Sequence, residues 1–392
     1  MGQFLDSVPF SGIIRIRDMM YSIKDPFRLD QGDVSFDAPE TVKRAMRQAI
    51  DDNHSHYLQT TGVPRLLELL AQKLRRTNGV PVGGPDEIMV ATGGIHAIYI
   101  VCQALLEPGD EVIVPDPEWP PAAGNIKAAQ AVPVPCPLYE RLGWRYDLAE
   151  LPTKITSRTR AIYINSPHNP TGSVMNKSEV AEVFAIAKEQ DLFILSDEIY
   201  RLMAYQTHVA SPSSKDFCRE RTIVITGFSK SFAMTGWRLG YMIGPEELVE
   251  KISLLLQTIV SCVPTFIQRA GITALKESHV EVASMMAELK ARRDIIVAGL
   301  NQLPGVSCSK PDGAFYVFPN ITNTGMTSDE FAETMLEDAG VALLPGSNFG
   351  ECGEGYVRLC YATSIDQINE GLGRINDVLQ KGLPVKSFNI QI

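Results

Sequence analysis

The sequence contains no long uninterrupted apolar stretch, which argues against a membrane-spanning segment. Its most apolar long window, residues 89–106, is broken by a threonine, two glycines, a histidine and a glutamine. A transmembrane helix needs about 20 predominantly apolar residues, so this window predicts a buried strand, a turn and a helix. The amino terminus has no basic region followed by an apolar one. We therefore expect no signal peptide and a cytoplasmic location.

Long basic runs are also missing from the sequence. Acidic residues outnumber basic ones by 46 to 36, which gives a formal net charge of −10. The longest basic cluster is the short KLRR segment at 73–76, which is typical of a solvated helix face. A chain of this charge repels nucleic acids and anionic membranes, so neither is expected as a partner.

Paired cysteine motifs are absent as well. The seven cysteines are odd in number and scattered, and no CxxC pair occurs among them. This pattern is typical of reduced thiols in an intracellular protein. His168 has no potential metal ligand at a familiar spacing. We therefore predict a structural role for His168 and no metal site.

From about residue 86 the sequence alternates short apolar runs with helical patterns. The apolar runs have no polar face, as expected when helices cover both sides of a mostly parallel sheet. This pattern predicts an α/β core, and 392 residues suffice for two domains.

Helical patterns dominate after about residue 245, where three helices are predicted at 246–258, 264–276 and 279–302. Two later helices are predicted to begin at Thr327 and Ser364, each followed three residues later by Glu or Gln. These helices and two intervening strands predict a smaller α+β unit.

The predicted strands end in residues that suit ligand binding. In open α/β sheets, ligands bind beyond the carboxyl ends of the strands. A glycine turn that leads into a helix favours an anion such as phosphate, and a carboxylate that closes a buried strand requires a cation or a donor. The strand ends carry Gly93-Gly94, Trp119, Asn169, Asp197 with Tyr200, and Lys230 with Arg238.

Lys230 lies in the segment TGFSKSFAMTGWRLGY, eight positions before Arg238. A lysine in a confined site can lose its proton and attack a carbonyl group. Pyridoxal 5'-phosphate, a planar phosphorylated aldehyde, requires such a lysine and an acidic partner for its ring nitrogen. The set of strand ends therefore predicts a pyridoxal 5'-phosphate site.

These residues give the chain a close resemblance to the class I and II aminotransferases, the fold type I pyridoxal-phosphate enzymes of the aspartate aminotransferase superfamily. The Lys230 segment is its most specific element. The other matching segments occur in family order over almost the whole chain: HYLQTTG, ATGG, PDPEW, NSPHNPTG, SDEIY, PDGAFYVFP, PGSNFG and YVRL.

The resemblance implies a two-domain subunit. A large domain at 41–285 would hold a mostly parallel seven-stranded sheet covered by helices, and residues 1–40 and 286–392 would form a smaller α+β domain. It also implies a homodimer in which Tyr57 reaches the cofactor phosphate of the neighbouring subunit.

The resemblance also implies roles for single residues. Lys230 would hold the cofactor as an aldimine and move a proton during catalysis, and Asp197 would keep the ring nitrogen protonated. Tyr200 and Asn169 would donate hydrogen bonds to the 3'-oxygen. The other implied cofactor contacts are Gly93, Gly94, Trp119 and Arg238, and the implied substrate contacts are Gly32, Asn169 and Arg358, which would grip the α-carboxylate.

The implied reaction transfers an amino group from an L-amino acid to a 2-oxo acid in two ping-pong half-reactions. Three departures from the family pattern bear on it. Gly227 replaces a phosphate-binding serine, so one hydrogen bond to the phosphate is either missing or supplied by Ser229. Ile95 replaces a lysine that one branch of the family uses to bind a distal carboxylate. The segment IVSCVPTF lacks an arginine that another branch uses for the same purpose. We therefore expect a neutral or aromatic donor, with aspartate still possible, and 2-oxoglutarate or pyruvate as acceptor.

Other functions remain to be distinguished. A carbon–sulfur β-lyase or another fold type I pyridoxal enzyme would use the same Lys230 and orient its substrate differently, and a catalytically silent sensor would only bind the cofactor. A nicotinamide site is disfavoured because GxGxxG is absent. An SxxK acyl-transfer site at Ser307 and Lys310 is disfavoured because SDN and KTG are absent.

Overall fold

The structure is a computed structural model that describes residue 16, residues 18–21, residue 23 and residues 26–80, 85–205 and 209–381. The segment on which the signal-peptide expectation depends therefore lies outside the described residues. The same holds for residues 382–392 of the predicted smaller domain.

The described ranges contain thirteen strands, which are short in the last third of the chain. They are β1 (Phe27–Arg28), β2 (Ile88–Ala91), β3 (Glu111–Asp116), β4 (Val132–Tyr139), β5 (Arg145–Tyr146), β6 (Thr159–Asn165), β7 (Phe193–Asp197), β8 (Thr222–Gly227), β9 (Gly240–Ile243), β10 (Tyr316–Val317), β11 (Val341–Ala342), β12 (Leu344–Pro345) and β13 (Val357–Cys360).

Residue 16 and residues 18–20 are helical, and eleven further α-helices lie entirely within the described ranges. They are α1 (Glu40–Asp51), α2 (Pro64–Thr77), α3 (Gly94–Leu105), α4 (Pro120–Ala128), α5 (Lys177–Glu189), α6 (Ser213–Asp216), α7 (Glu246–Ile259), α8 (Thr265–Glu277), α9 (His279–Leu300), α10 (Ser328–Ala339) and α11 (Ile365–Gln380).

Eight of the described strands form one sheet in the order β2-β9-β8-β7-β6-β3-β4-β5. The strands from β8 to β4 pair in parallel, and β9 runs antiparallel to both of its neighbours. Because β2, β3, β8 and β9 are buried along their whole lengths, their sequences are apolar on both faces. The predicted α/β fold is thereby confirmed. The predicted count of seven strands omits β5, a two-residue edge strand that is too short to show a periodic pattern.

The helices predicted at 246–258, 264–276 and 279–302 are confirmed as α7, α8 and α9. The Thr327 side chain accepts from the Glu330 backbone N–H, and the Glu330 side chain accepts from the Thr327 N–H, so the capping box at α10 is complete. At α11 the Ser364 side chain accepts from the Gln367 N–H. No helix within the described ranges combines the length and apolar character that crossing a bilayer requires.

Two smaller sheets complete the fold, one with the order β10-β13-β12 and one formed by β1 and β11. The Leu29 N–H donates to Ala342 O at 3.0 Å, and the Cys360 N–H donates to Leu29 O at 2.7 Å. These bonds hold the segment after β1 against β11 and β13. Residues 30–32 thereby come to lie beside Lys230 and Arg358.

Candidate active site

A cavity of about 490 Å³ lies where the carboxyl ends of the parallel strands face the segment after β1. This is the general position of ligand sites in open α/β sheets. The structure brings nine of the predicted site residues to its lining: Gly32, Gly94, Trp119, Asn169, Asp197, Tyr200, Lys230, Arg238 and Arg358.

Gly93 and Tyr57 are the predicted site residues that do not line the cavity. Gly93 has a φ of +85°, and a Cβ at this position would collide with the Arg238 guanidinium. The glycine therefore allows the arginine to approach the turn before α3. The Tyr57 side chain is 87% exposed and does not line the cavity of its own chain.

Lys230 follows β8, and its Nζ donates to the Gly32 carbonyl at 2.6 Å. Burial lowers the pKa of Lys230 to about 8, and the positive charges of Arg358 and Arg238 act in the same direction, whereas Asp33 opposes them. A pKa near 8 leaves part of the amine neutral at physiological pH. A neutral amine is the form that can attack a carbonyl group, as the role predicted for Lys230 requires.

Asp197 ends β7 and is buried. Its Oδ2 accepts a hydrogen bond from the Tyr163 hydroxyl at 3.0 Å, and its Oδ1 accepts one from the Ile199 N–H at 3.0 Å. Burial raises the pKa of this carboxyl group to about 7, and no Lys, Arg or His of the described ranges forms an ion pair with it. A cationic ligand group would therefore be the natural partner of this carboxylate.

Arg358 lies on β13 and is only 3% exposed. Its Nη2 donates to Asp30 O at 2.6 Å, and its Nη1 donates to Asn169 Oδ1 at 3.0 Å. The guanidinium also lies over the rings of Tyr316 and Phe349, at 4.5 and 5.0 Å from their centroids. Arg358 Nε is buried without a partner in the described structure. A buried unpaired donor costs about 1–3 kcal/mol.

Asn169 and Tyr200 present further hydrogen-bonding groups to the cavity. The Asn169 N–H donates to Asn165 Oδ1 at 2.8 Å, and because Asn169 Oδ1 accepts from Arg358, the Nδ2 donor is left for a ligand. The Tyr200 hydroxyl lies 2.8 Å from that of Tyr316. Burial holds the pKa of Tyr200 well above its ordinary value, so its hydroxyl remains protonated and able to donate.

The turn before α3 and Arg238 lie together and have the chemistry that suits an anion. Arg238 Nη1 donates to Thr235 O at 2.7 Å, and its Nη2 lies 3.4 Å from Thr92 O. The backbone N–H groups at a helix start and an arginine are a common combination for phosphate. A Cβ at Gly227 would lie 3.0 Å from Gly240 Cα, so a serine there would crowd β9. Ser229 lines the cavity instead.

Trp119 lies at the start of α4, where its N–H donates to Glu118 Oε1 at 2.8 Å. Glu118 Oε2 lies 3.2 Å from His168 Nε2, and His168 Nδ1 lies 2.7 Å from Thr171 Oγ1. His168 is thus buried in a network that joins the Trp119 and Asn169 loops, which agrees with the structural role predicted for it. The described residues include no group of three or more His, Cys, Asp or Glu that could hold a metal ion.

Several residues of the site were not found by sequence reasoning. Asn165, Tyr316, Arg28 and Asp30 line the cavity, and Tyr163 contacts it through Asp197. Tyr163 and Asn165 lie within an apolar strand pattern, and the tyrosine in PDGAFYVFP was part of a matching segment without an assigned role. Arg28 and Asp30 reach the cavity because β1 pairs with β11, a contact between distant parts of the chain that two residues cannot signal.

The residues present fit pyridoxal 5'-phosphate. Lys230 suits the cofactor aldehyde, and the buried carboxylate of Asp197 suits the ring nitrogen. The glycine turn and Arg238 suit the phosphate. The guanidinium of Arg358 on the cavity lining suits the carboxylate of an amino acid. The cavity therefore has room and donors for both a cofactor and a substrate.

Comparisons with known proteins agree with this chemistry. The family model for aminotransferase class I and II matches residues 24–375. The chain is 40% identical to an aspartate aminotransferase of Pyrococcus abyssi over 97% of this chain and 98% of that protein. It is 38% identical to aromatic-amino-acid aminotransferase 2 of Thermococcus litoralis over 96% and 97%, respectively.

The solved structures agree as well. The crystal structure of an aromatic aminotransferase from Pyrococcus horikoshii superposes with a TM-score of 0.89 at 38% identity, over 93% of this chain and 99% of that one. Both the sequence and the fold thus match over nearly the whole chain. The chain therefore belongs to the class I and II aminotransferases, the pyridoxal-phosphate-dependent enzymes that transfer amino groups.

Proposed function

We propose that this aminotransferase moves the amino group of a neutral or aromatic L-amino acid to 2-oxoglutarate or pyruvate. The observation that carries the proposal is the placement of Lys230, Asp197 and Arg358 on one cavity. When bound, pyridoxal 5'-phosphate supplies an aldehyde that accepts the amino group and a ring that withdraws electrons from the substrate Cα. The protein supplies orientation, proton transfer and charge.

Lys230 is proposed as the group that binds the cofactor and later carries the proton from the substrate Cα to cofactor C4'. Its lowered pKa, about 8, supports both roles, because the amine must be neutral to attack and to accept a proton. Asp197 would hold the proton on the ring nitrogen, which favours electron withdrawal. Tyr200 and Asn169 would donate to the 3'-oxygen.

The other contacts follow from position and charge. Arg238 and the turn formed by Gly93 and Gly94 would bind the phosphate, and Trp119 would stack on the ring. Arg358, which lines the cavity, would bind the α-carboxylate through its guanidinium. A fixed carboxylate orients the Cα–H bond relative to Lys230, as efficient proton abstraction requires.

The preference for an uncharged side chain is supported by the cavity lining. Ile95 lines the cavity and is 40% exposed, so it offers apolar surface to a substrate. Arg28, which also lines it, is already paired with Asp30. The names of the relatives include both aspartate and aromatic amino acids, so family membership alone does not assign the substrate.

The subunit arrangement is also a proposal. A homodimer would place the exposed Tyr57 at the neighbouring subunit's phosphate site. A division into a large domain at 41–285 and a smaller one at 1–40 and 286–392 is supported by the pairing of β1 with β11. All seven cysteines lie in the described ranges without a disulfide, which supports a cytoplasmic location.

A screen of the twenty amino acids tests the proposed function. Each is added to the holoenzyme without acceptor, and the cofactor absorbance is followed together with the 2-oxo acid formed. We expect neutral and aromatic amino acids to give stoichiometric 2-oxo acid and the amine form of the cofactor. Release of pyruvate and ammonia from a cysteine derivative would indicate a β-lyase instead, and an unchanged spectrum with every amino acid would indicate a silent sensor.

A further inference from the structure

An ion pair on the cavity lining has no role in the steps above. Arg28 Nε donates to Asp30 Oδ1 at 2.7 Å, and Arg28 Nη2 donates to Asp30 Oδ2 at 3.0 Å. The two side chains differ in exposure, at 44% for Arg28 and 5% for Asp30. The guanidinium therefore reaches solvent at the cavity, and the carboxylate is buried behind it.

The pair adjoins the group proposed to hold the substrate α-carboxylate. The carbonyl of Asp30 accepts from Arg358 Nη2 at 2.6 Å. Arg28, Asp30 and Arg358 line the same cavity. The cavity that would receive a substrate held at Arg358 is therefore also bordered by the ion pair.

The other charged residues of the cavity lining already have proposed roles. Arg238, Arg358 and Lys230 are assigned to the phosphate, the α-carboxylate and the cofactor aldehyde, and Asp197 is assigned to the ring nitrogen. Among the described residues, Arg28 and Asp30 are the two charged lining residues that remain. Because their charges cancel, the space for the side chain carries no net charge to attract a second carboxylate.

We propose that the Arg28–Asp30 ion pair determines specificity for the charge of the substrate side chain. Asp30 neutralises Arg28, and the site therefore discriminates against amino acids and 2-oxo acids with a second carboxylate. This inference rests on the proposed function, which it deepens by assigning the substrate class to two residues.

The bidentate geometry also shows how the specificity could be changed. Asp30 engages Nε and Nη2 of Arg28, and Nη1 has no hydrogen-bond partner among the described residues. Without the carboxylate, the guanidinium would present a free fork, the arrangement that binds carboxylates best. Asp30 is thus proposed to suppress a dicarboxylate site.

A charge series at the two positions tests the inference. Asp30→Asn leaves one positive charge, Arg28→Gln leaves one negative charge, and the double variant is neutral like the original pair. The holoenzyme of each is titrated with succinate, a dicarboxylate, and with 3-phenylpropionate, a monocarboxylate, and the ratio of the two Kd values is compared. Circular dichroism checks that each variant is folded.

We expect Asp30→Asn to improve succinate binding relative to 3-phenylpropionate by about tenfold, as for one unit charge near a partly solvated ligand. Arg28→Gln should shift the ratio in the opposite direction, and the double variant should return it to within about threefold of the original. If Arg28→Gln does not fold because Asp30 is left buried and unpaired, the other two variants still test the inference, because Asp30→Asn should shift the ratio and the double variant should not.

Kd ratios that stay within about twofold of the original in every folded variant would overturn the inference. An equal loss of affinity for both ligands in Asp30→Asn would also overturn it, because it would show that Asp30 only holds Arg358 in place. Because neither ligand has an amino group, their binding is independent of turnover. Absence of transamination with all twenty amino acids would overturn the proposed function, whereas unchanged binding ratios would overturn the inference alone.

Discussion

Arg358 Nη1 donates a hydrogen bond to Asn169 Oδ1 at 3.0 Å, although the two residues lie 189 positions apart in the chain. The bond joins the residue proposed to hold the substrate carboxylate to one proposed to contact the cofactor 3'-oxygen. It also fixes the Asn169 amide with its Nδ2 donor free for a ligand. Under the proposed roles, substrate binding at Arg358 would therefore be coupled to the contacts around the cofactor.

Replacing the guanidinium tests this coupling. We expect Arg358→Lys to lower kcat/KM for the amino donor by about 10- to 100-fold, because an ammonium group cannot reproduce hydrogen bonds to a carboxylate, Asn169 and Asp30 together. Steady-state kinetics with saturating cofactor measure the effect. Arg76→Lys, on the exposed face of α2, is the matched control and should change kcat/KM by less than about twofold. Equal effects in both variants would argue against the assignment.

The raised pKa of Asp197 predicts how stability depends on pH. The folded state binds this proton more tightly than the unfolded state, so Asp197 makes the cofactor-free protein less stable as pH rises from 3.8 to about 7. Asp197→Asn removes this dependence. Relative to the original protein, the variant should gain about 2 kcal/mol in unfolding free energy between pH 5 and pH 8.

Urea denaturation of both cofactor-free proteins at the two pH values measures the difference. The variant should at the same time bind pyridoxal 5'-phosphate more weakly, because the neutral amide cannot pair with a protonated ring nitrogen. A difference in stability that does not change with pH would show that Asp197 titrates as an ordinary exposed carboxylate.

The lowered pKa of Lys230 predicts the pH dependence of cofactor capture. The amine is neutral above about pH 8, whereas an ordinary lysine requires a pH above about 10. The rate at which the cofactor-free protein incorporates pyridoxal 5'-phosphate should therefore rise with pH and level off above a midpoint near 8. Stopped-flow absorbance measures this rate. A midpoint near the ordinary lysine value would contradict the effect of burial.

Tyr57 provides a test of the subunit arrangement. Tyr57→Phe should weaken cofactor binding by about tenfold, the effect of losing one hydrogen bond to a charged group. A hybrid dimer with Lys230→Ala in one subunit and Tyr57→Phe in the other should keep one site of normal affinity, since Tyr57 of the first subunit would complete the site of the second. Weakened binding at that remaining site would show that Tyr57 serves its own subunit.

Residues that follow long buried strands were predictable from the sequence. Asp197 is the last residue of β7, and Lys230 lies shortly after the end of β8. In both strands an apolar pattern of five or six residues indicates the strand and where it ends. Gly93 and Gly94, at the start of α3, were predictable for the same reason. These residues meet in space because the carboxyl ends of parallel strands lie at one edge of the sheet.

Residues brought in by short or distant elements were not predictable in this way. Arg28 depends on β1, a two-residue strand whose partner β11 is more than three hundred positions away. The ion pair with Asp30 and the contact of Asp30 with Arg358 follow from that pairing. The burial of Tyr163 beside Asp197 depends on the register of β6 and β7, which an apolar pattern on both faces does not fix.

Covalent attachment of the cofactor at residue 230 is the most direct test. The purified holoenzyme is treated with sodium borohydride, digested, and analysed by mass spectrometry, with Lys230→Ala as the control. We expect the phosphopyridoxyl group on the peptide that contains Lys230, and no labelled peptide from the variant. Labelling at another lysine with Lys230 unmodified, or an equal label in Lys230→Ala, would contradict the account.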